Sequence, residues 1–325
     1  MHSGSPLRRD DSPASTTVTV WGPATLSNLG PGFDALGLCI SGWGDVVEAW
    51  REAQPGVRVE IGESAVDWRA PTDPAKNTAA VAASVVLRAL GVKEGMTLRI
   101  RKGIPPGSGV GSSAASAVAG AWAANVLFGA PLDKAALVDA VLEGEAVAAG
   151  SRHGDNVLPA LFGGLVLVSS GDPMRSRRVP LPRTLPMAVI LPSVQVLTRQ
   201  ARAILPKRVP LHEAVHNASE LAFMIDAFRA GDWETVGRCI MADVLVEPVR
   251  ARLLPCYDAV RGAAMEAGAF GCALSGSGPA MFAPAETHAA AERIRDAMLT
   301  ASRSAGIDAL GIATEVNDEG VQTIG

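Results

Sequence analysis

The stretch Ile104-Pro105-Pro106-Gly107-Ser108-Gly109-Val110-Gly111-Ser112-Ser113-Ala114-Ala115-Ser116 constrains this chain more than any other. Glycine stands at alternate positions, two serines follow, and a run that reads as a helix extends from Ala114 to about Phe128. Without Cβ atoms the backbone can turn its N–H groups inward and approach a ligand closely. The helix behind it adds unpaired N–H donors and the positive end of its dipole, a combination that suits phosphate. A Walker A loop needs a Lys after its second Gly, and a dinucleotide fingerprint needs a third Gly where Ser112 stands, so neither pattern accounts for the stretch. A Gly-rich approach to a serine-capped helix is the purely structural reading of the same letters.

The surrounding pattern supplies a strand before the loop and polar groups around it. Met96 to Ile100 reads as a strand that delivers the chain into the loop. Upstream, Thr16 to Trp21 alternates as a strand and Pro23 ends it; the loop from Ala24 to Gly37 then holds three glycines and two isolated polar side chains, Asn28 and Asp34. Both are turn formers by type, yet the loop is long and apolar for a turn. Asp45 to Arg51 and Val57 to Ile61 read as strands, and Asp73 to Thr78 opens a helix to about Leu90 with Asn77 or Thr78 near its start. A further helix begins at Pro131-Leu132-Asp133, and its stripe of Leu137, Val141 and Ala148 includes Glu145. A carboxylate there is paired, protonated or bound to a cation, unless the edge of the stripe reaches solvent. Ser151 to Val157 reads as a loop that gathers His153, Asp155 and Asn156 before a strand at Leu165 to Ser169; an Asx turn explains Asp155 and Asn156 without chemistry.

A length of 325 residues suits about two domains. With 48% apolar and 19% charged residues, a large core is available and extensive disorder is not expected. The stretch Gly171 to Pro186, rich in Arg, Pro and Ser, marks the boundary, giving a tail over 1–15, an N-terminal unit over 16–170 and a C-terminal unit over 180–325. The second unit reads as strand Met187 to Pro192, a segment Gln195 to Leu205 with Thr198, Arg199 and Arg202, and helices His212 to Ala230, Trp233 to Asp243 and Cys256 to Ala267. Two short strands around a glycine turn within Ala269 to Phe282, a helix Ala289 to Ser304 and a strand Gly311 to Val316 complete it. A formal charge of −4 gives no reason to expect nucleic acid or an anionic membrane as partner. Cys39, Cys239, Cys256 and Cys272 form no C-x-x-C pair, against a zinc site or disulfide framework and in keeping with a reducing cytoplasm. No uninterrupted apolar stretch reaches the ~20 residues of a membrane span.

Three motifs, the Asn28 to Asp34 loop, Pro105 to Ser116 and Gly271 to Pro279, resemble the GHMP kinases in order and spacing. Further stretches are similar to the homoserine kinase branch of that superfamily: Ser27 to Asp34, His153 to Leu161, Ala201 to Pro206 and Glu247 to Arg250. The resemblance implies an α+β, two-domain GHMP kinase fold, with an N-terminal ribosomal protein S5 domain 2-like unit, a C-terminal ferredoxin-like α/β sandwich and the active site between them. It implies ATP-dependent phosphorylation of the side-chain hydroxyl of L-homoserine, in a cytoplasmic homodimer. On the nucleotide side it implies that Pro105, Pro106, Gly107, Ser108, Gly109, Val110, Gly111, Ser112 and Ser113 wrap the ATP phosphates. Asn77 is placed near the adenine, and Ser113 with Glu145 on Mg²⁺. Homoserine is a zwitterion with a short alcohol, so Asp34 is matched to its ammonium with Asn28 beside it, and Arg202 and Arg250 to its carboxylate. Thr198 and His153 complete the polar lining. Asn156 is expected to orient the hydroxyl, with Asp155 as electrostatic support, and no clear Lys partner for an Asp base stands out. Other small-molecule kinases of the superfamily, and a catalytically silent ligand sensor on the same fold, are the rival readings.

Overall fold

Alternation along the strands decides which side chains face the core, and two sheets result. The computed structural model describes residues 17–66, 70–129, 132–196 and 198–325, so the expected tail lies outside the described residues. Strand β1 (Val18–Ser27) pairs antiparallel with the long β2 (Leu36–Glu52). The strand expected to stop at Pro23 continues past it, because the register shifts between Pro23 and Thr25 and so accommodates a residue without an N–H donor. The expected loop at 24–37 therefore shrinks to the turn between Ser27 and Leu36.

Strand β3 (Gly56–Ile61) runs parallel to β4 (Gly95–Arg101), which lies beside β2. Four helices cover the sheet: α1 (Thr78–Ala89), α2 (Ser112–Leu127), α3 (Val138–Ala149) and α4 (Gly154–Phe162). Asn77 caps α1, its Oδ1 accepting the Ala80 N–H at 3.1 Å. Helices α1 and α2 approach so closely that a Cβ on Gly120 would lie 2.4 Å from the Ala79 carbonyl oxygen, which is why their contact faces are alanine.

Helix α4 corrects the expectation of a loop at Ser151 to Val157. Nine residues with Gly154 at the start and Pro159 inside carry the letters of a loop, but Asp155, Val157, Leu158 and Leu161 are buried and the burial overrides propensity. Pro159 has no N–H for the Asp155 carbonyl, and that oxygen packs on Gly37, where a Cβ would sit 1.7 Å away.

Strands β5 (Leu165–Ser169) and β6 (Asp172–Val179) form a hairpin on β2. The compositional break thus contains an edge strand, whose largely exposed, Arg-bearing residues hid it.

In the second half, β7 (Pro186–Pro192) is buried throughout. It is followed by α5 (Thr198–Ala203), α6 (Leu211–Ala230), α7 (Trp233–Ile240), the short α8 (Glu247–Arg250) and α9 (Tyr257–Glu266). Strands β8 (Ala273–Leu274) and β9 (Met281–Pro284), α10 (His288–Ser304), β10 (Ala309–Glu315) and β11 (Gln322–Thr323) follow. The sheet order β10-β7-β9-β8, all antiparallel, with helices between β7 and β8 and between β9 and β10, is ferredoxin-like. Helices α9 and α10 bury one face of it through Val260, Ile294 and Met298. The other face, Met187, Val189 and Leu191, shares one core with Leu26, Leu36 and Leu38 of the first sheet. Strand β11 returns to pair with β1, so the last residues of the chain complete the first sheet. Among the described residues no helix is long and apolar enough to cross a membrane, and the four cysteines are buried and free.

Overpacking at the contact between Gly37 and α4 has a measurable consequence. Gly37→Ala is expected to lower the thermal unfolding midpoint by roughly 5 °C, from about 1–3 kcal/mol of overpacking. Gly262→Ala, in α9 with nothing within 4 Å of the added Cβ, is the matched control and should raise it slightly. A differential melt of both variants checks this.

Candidate active site

The three glycine-rich turns meet at the end of β1. The turn after Ser27 carries three non-glycine residues at positive φ, Asn28 at 71°, Leu29 at 53° and Asp34 at 54°. Such strain persists only where the surroundings fix it. Asn28 does so by accepting the Asp34 N–H at 3.2 Å and donating Nδ2 to the Gly276 carbonyl at 3.0 Å. Ser275 Oγ donates to the Gly109 carbonyl at 2.6 Å and accepts the Ser27 N–H at 3.3 Å, so one hydroxyl ties all three turns together. Gly109 has φ 83°, and a Cβ there would lie 2.7 Å from the Ser275 carbonyl oxygen.

A cleft of about 560 Å³ opens between these turns. Pro106 to Gly109 and Gly111 to Ser113 line it, while Pro105 lies outside the lining and the Val110 side chain is fully buried in the core. The Val110 carbonyl accepts the Thr25 N–H at 3.1 Å, anchoring the loop to β1. Ser112 Oγ is spent on the Ile104 carbonyl at 2.9 Å. Ser113 Oγ donates to Glu145 Oε1 at 3.1 Å, and Glu145 Oε2 is buried without a partner. Burial pushes the Glu145 carboxyl up to about 8; the Ser113 bond opposes this and the nearby Asp155 adds to it. The Ser108 hydroxyl is likewise buried without a partner beside the cleft. A lone carboxylate oxygen next to a hydroxyl at a phosphate-sized loop is a hard-oxygen set with a vacant valence, which fits a divalent cation. Asn77 lines the same end, with its amide committed to Ala80 and to the Pro71 carbonyl at 2.8 Å.

Beneath the loop lies a pair absent from the sequence expectations. Lys102 Nζ donates to Asp45 Oδ2, to the Ser112 carbonyl at 2.9 Å and to Ser116 Oγ at 3.0 Å. Asp45 Oδ1 accepts the Gly103 and Ile104 N–H groups at 3.0 and 3.3 Å. Both residues are buried, and Lys102 reaches the cleft. The signal was period two: Met96, Leu98 and Ile100 face the core, so Lys102 does too, and a buried ammonium demands a carboxylate.

The opposite wall holds the charges expected of an acceptor site. Arg202 grips Asp34 with two bonds of 2.9 Å, and this pairing raises the Arg202 guanidinium above its ordinary range. Arg250 is buried, donating to the Gly276 carbonyl at 2.7 Å; desolvation, then the charge of Arg202, lowers it to about 10, still cationic at neutral pH. Phe33, which sequence reasoning passed over, lies under both guanidinium groups at 5.4 and 5.0 Å. Arg250 rides on α8, which the buried Asp243 and the half-buried Glu247 hold. Asp243 accepts the N–H groups of Leu245 and Glu247 at 2.8 Å each and Asn217 Nδ2 at 2.7 Å. Glu247 accepts the Tyr257 hydroxyl at 2.6 Å and the Leu274 N–H at 3.1 Å. His153 stands at the start of α4, beside the cleft and without a side-chain capping bond, and is lowered by burial and then by Arg202. Asp155 and Asn156 sit in the first turn of α4, both at the cleft, and burial followed by the charge of Asp34 pushes Asp155 up to about 6. Thr198 opens α5, and its side chain lies outside the described residues.

Residues 77–164 match the GHMP kinases N terminal domain and residues 224–303 the GHMP kinases C terminal domain. A homoserine kinase of Pyrococcus furiosus is 41% identical over 299 residues, covering 92% of this chain and 98% of that protein. One from Chlorobium phaeobacteroides is 39% identical, covering 88% and 92%. The crystal structure of homoserine kinase from Cytophaga hutchinsonii superposes with a TM-score of 0.90 at 37% identity over 99% of this chain and 100% of that one. A mevalonate kinase from L. major, at 18% identity and TM-score 0.76, shares the fold. On family domains, sequence and architecture together, the chain belongs to the GHMP kinases, in their homoserine kinase branch.

Proposed function

We propose that the chain transfers the terminal phosphoryl group of ATP to the side-chain hydroxyl of L-homoserine. The observation that carries this reading is the juxtaposition in one cleft of a glycine-loop phosphate cradle with one carboxylate and two guanidinium groups, Asp34, Arg202 and Arg250. A zwitterionic amino acid is complementary to that triad, whereas a neutral sugar leaves the buried Arg250 guanidinium without a bound carboxylate. Arg250 has guanidinium donors beyond those spent on backbone, and a planar fork meets a carboxylate with two parallel bonds. Asp34 retains lone pairs for an ammonium beside its bonds to Arg202.

The backbone from Gly107 to Ser113 and the start of α2 would cradle the phosphates. Glu145 and Ser113 would hold Mg²⁺, which supplies positive charge against the phosphate oxygens. Phosphoryl transfer has a loose transition state and needs alignment and charge stabilisation more than covalent help. In this reading Asn156 orients the acceptor hydroxyl, Asp155 shapes the local field, and Asn77 contributes to the adenine end through the edge of α1. We also propose a homodimer, for which α6 leaves Leu211, Val215 and Phe223 exposed at 79%, 56% and 65%; sedimentation equilibrium would show a monomer if this is wrong.

A coupled ATPase assay with homoserine, mevalonate, galactose and shikimate tests the substrate: turnover is expected on homoserine, and turnover on another acceptor without homoserine overturns the reading. Asn156→Ala should lower kcat about a hundredfold with a smaller change in KM, and an unchanged kcat removes Asn156 from the mechanism. Arg250→Lys should raise KM for homoserine about tenfold and leave KM for ATP alone.

Glu145 makes a prediction with a sign. Its folded carboxyl stands at about 8 against 4.5 ordinarily, so the folded chain binds the extra proton between those values. Stability contributed by that proton is therefore lost as pH rises through the window. Glu145→Gln should raise the unfolding midpoint more at pH 8 than at pH 5 while kcat falls about a hundredfold. Melts at the two pH values and a steady-state assay check both halves.

A further inference from the structure

Three polar side chains on two elements, Thr25, Asn156 and Ser27, form a hydrogen-bond chain in which Thr25 and Ser27 have so far been given no role. Thr25 and Ser27 stand two apart on β1 and so face the same way, with exposures of 0% and 1%. Asp155 and Asn156 lie opposite them in the first turn of α4. Thr25 Oγ1 is 2.9 Å from Asn156 Oδ1, and Asn156 Nδ2 is 3.1 Å from Ser27 Oγ.

The polarity of the chain follows from the Asn156 amide. Its nitrogen only donates, and Nδ2 lies against Ser27 Oγ. The Ser27 oxygen is then the acceptor for an N–H of Asn156, which places Nδ2 toward Ser27 and Oδ1 toward Thr25. Thr25 has a hydroxyl proton to give to that Oδ1, so the amide is held at both ends. Oδ1 is thereby covered: a Cβ on Gly111, the last glycine of the phosphate loop, would lie 2.2 Å from Thr25 Oγ1 and 3.2 Å from Asn156 Oδ1. Asn156 lines the cleft, and the group it has left over is the second N–H of its amide.

We propose that Thr25 and Ser27 are positioning residues that lock the Asn156 amide, so that it donates to the acceptor hydroxyl oxygen and takes no proton from it. The inference rests on the reading that Asn156 faces the acceptor alcohol. It assigns to two small hydroxyl residues the orientation of an amide whose two ends are otherwise nearly isosteric. An N–H aimed at the oxygen fixes its place in line with the phosphate loop, and the loop itself, through Gly111, is packed on the same hydroxyl that sets the amide.

Steady-state kinetics with homoserine and ATP on five variants tests this. Thr25→Val, which keeps the shape and removes the donor, should lower kcat about tenfold or more with both KM values within about threefold, and Thr25→Ser should restore kcat. Ser27→Ala should behave as Thr25→Val. Asn156→Asp, which offers acceptors only, should be no more active than Asn156→Ala. A kcat for Asn156→Asp about tenfold above that of Asn156→Ala overturns the orientation alone, as does parental kcat in folded Thr25→Val. Parental kcat in Asn156→Ala overturns the underlying reading of Asn156 and the inference with it. Should Thr25→Val fail to fold, the comparison of Asn156→Asp with Asn156→Ala decides.

Discussion

The glycine loop depends on one buried ammonium. Lys102 leaves the end of β4 on the core face, where its charge is tolerable only with Asp45 beside it and Ser116 and the Ser112 carbonyl taking its remaining protons. Asp45 in turn fixes the N–H groups of Gly103 and Ile104, the two residues that lead into the loop. The pair therefore pins both ends of the glycine stretch, its approach from β4 and the first turn of α2. Replacing a buried pair by apolar residues is often neutral, whereas removing one partner costs about 3–5 kcal/mol. A pair retained at that risk under a ligand cleft is best understood through what it holds in place.

Around this anchor the site is built from polar groups whose bonds are mostly already made. Ser112 is spent on Ile104, Asn28 on Asp34 and Gly276, Asn77 on Ala80 and Pro71. Two exceptions among the described residues are Glu145 Oε2 and the Ser108 hydroxyl, buried at the cleft without protein partners. An unsatisfied buried polar atom costs stability, so the two are places where a ligand has most to offer. The fold thus separates groups that shape the cleft from groups that wait for its contents.

The letters of the chain carried this design unevenly. The glycine loop, the helix it opens and Glu145 on an apolar stripe were legible because alternation and helical periodicity are local properties of sequence. Helix α4 was not, because Gly154 and Pro159 imitate a loop and only burial against β2 makes the segment helical. Strands β6 and β11 are an exposed hairpin arm and a two-residue return, neither with an apolar pattern to betray it. Lys102 and Asp45 were legible in principle by parity, the one just past the end of β4 and the other on β2, once both strands were placed in register. Thr25, Ser27 and Phe33 had no such signal. They are ordinary strand and turn letters until tertiary contacts give them neighbours.

The third glycine turn shows why both halves of the chain are needed for one reaction. The Gly276 carbonyl accepts from Asn28 of the first half at 3.0 Å and from Arg250 of the second at 2.7 Å. One residue earlier, the Ser275 hydroxyl is bonded to the phosphate loop and to β1. A displacement of this turn would move the Arg250 guanidinium and the glycine loop relative to each other. In a transfer governed by alignment, that relative placement is the quantity the fold must hold constant. The guanidinium itself is held from behind: α8 is fastened by Asp243 and Glu247, so Arg250 reaches the cleft from a rigid base. The distance between the Arg250 guanidinium and the glycine loop is thus set by backbone carbonyls and the carboxylates of Asp243 and Glu247.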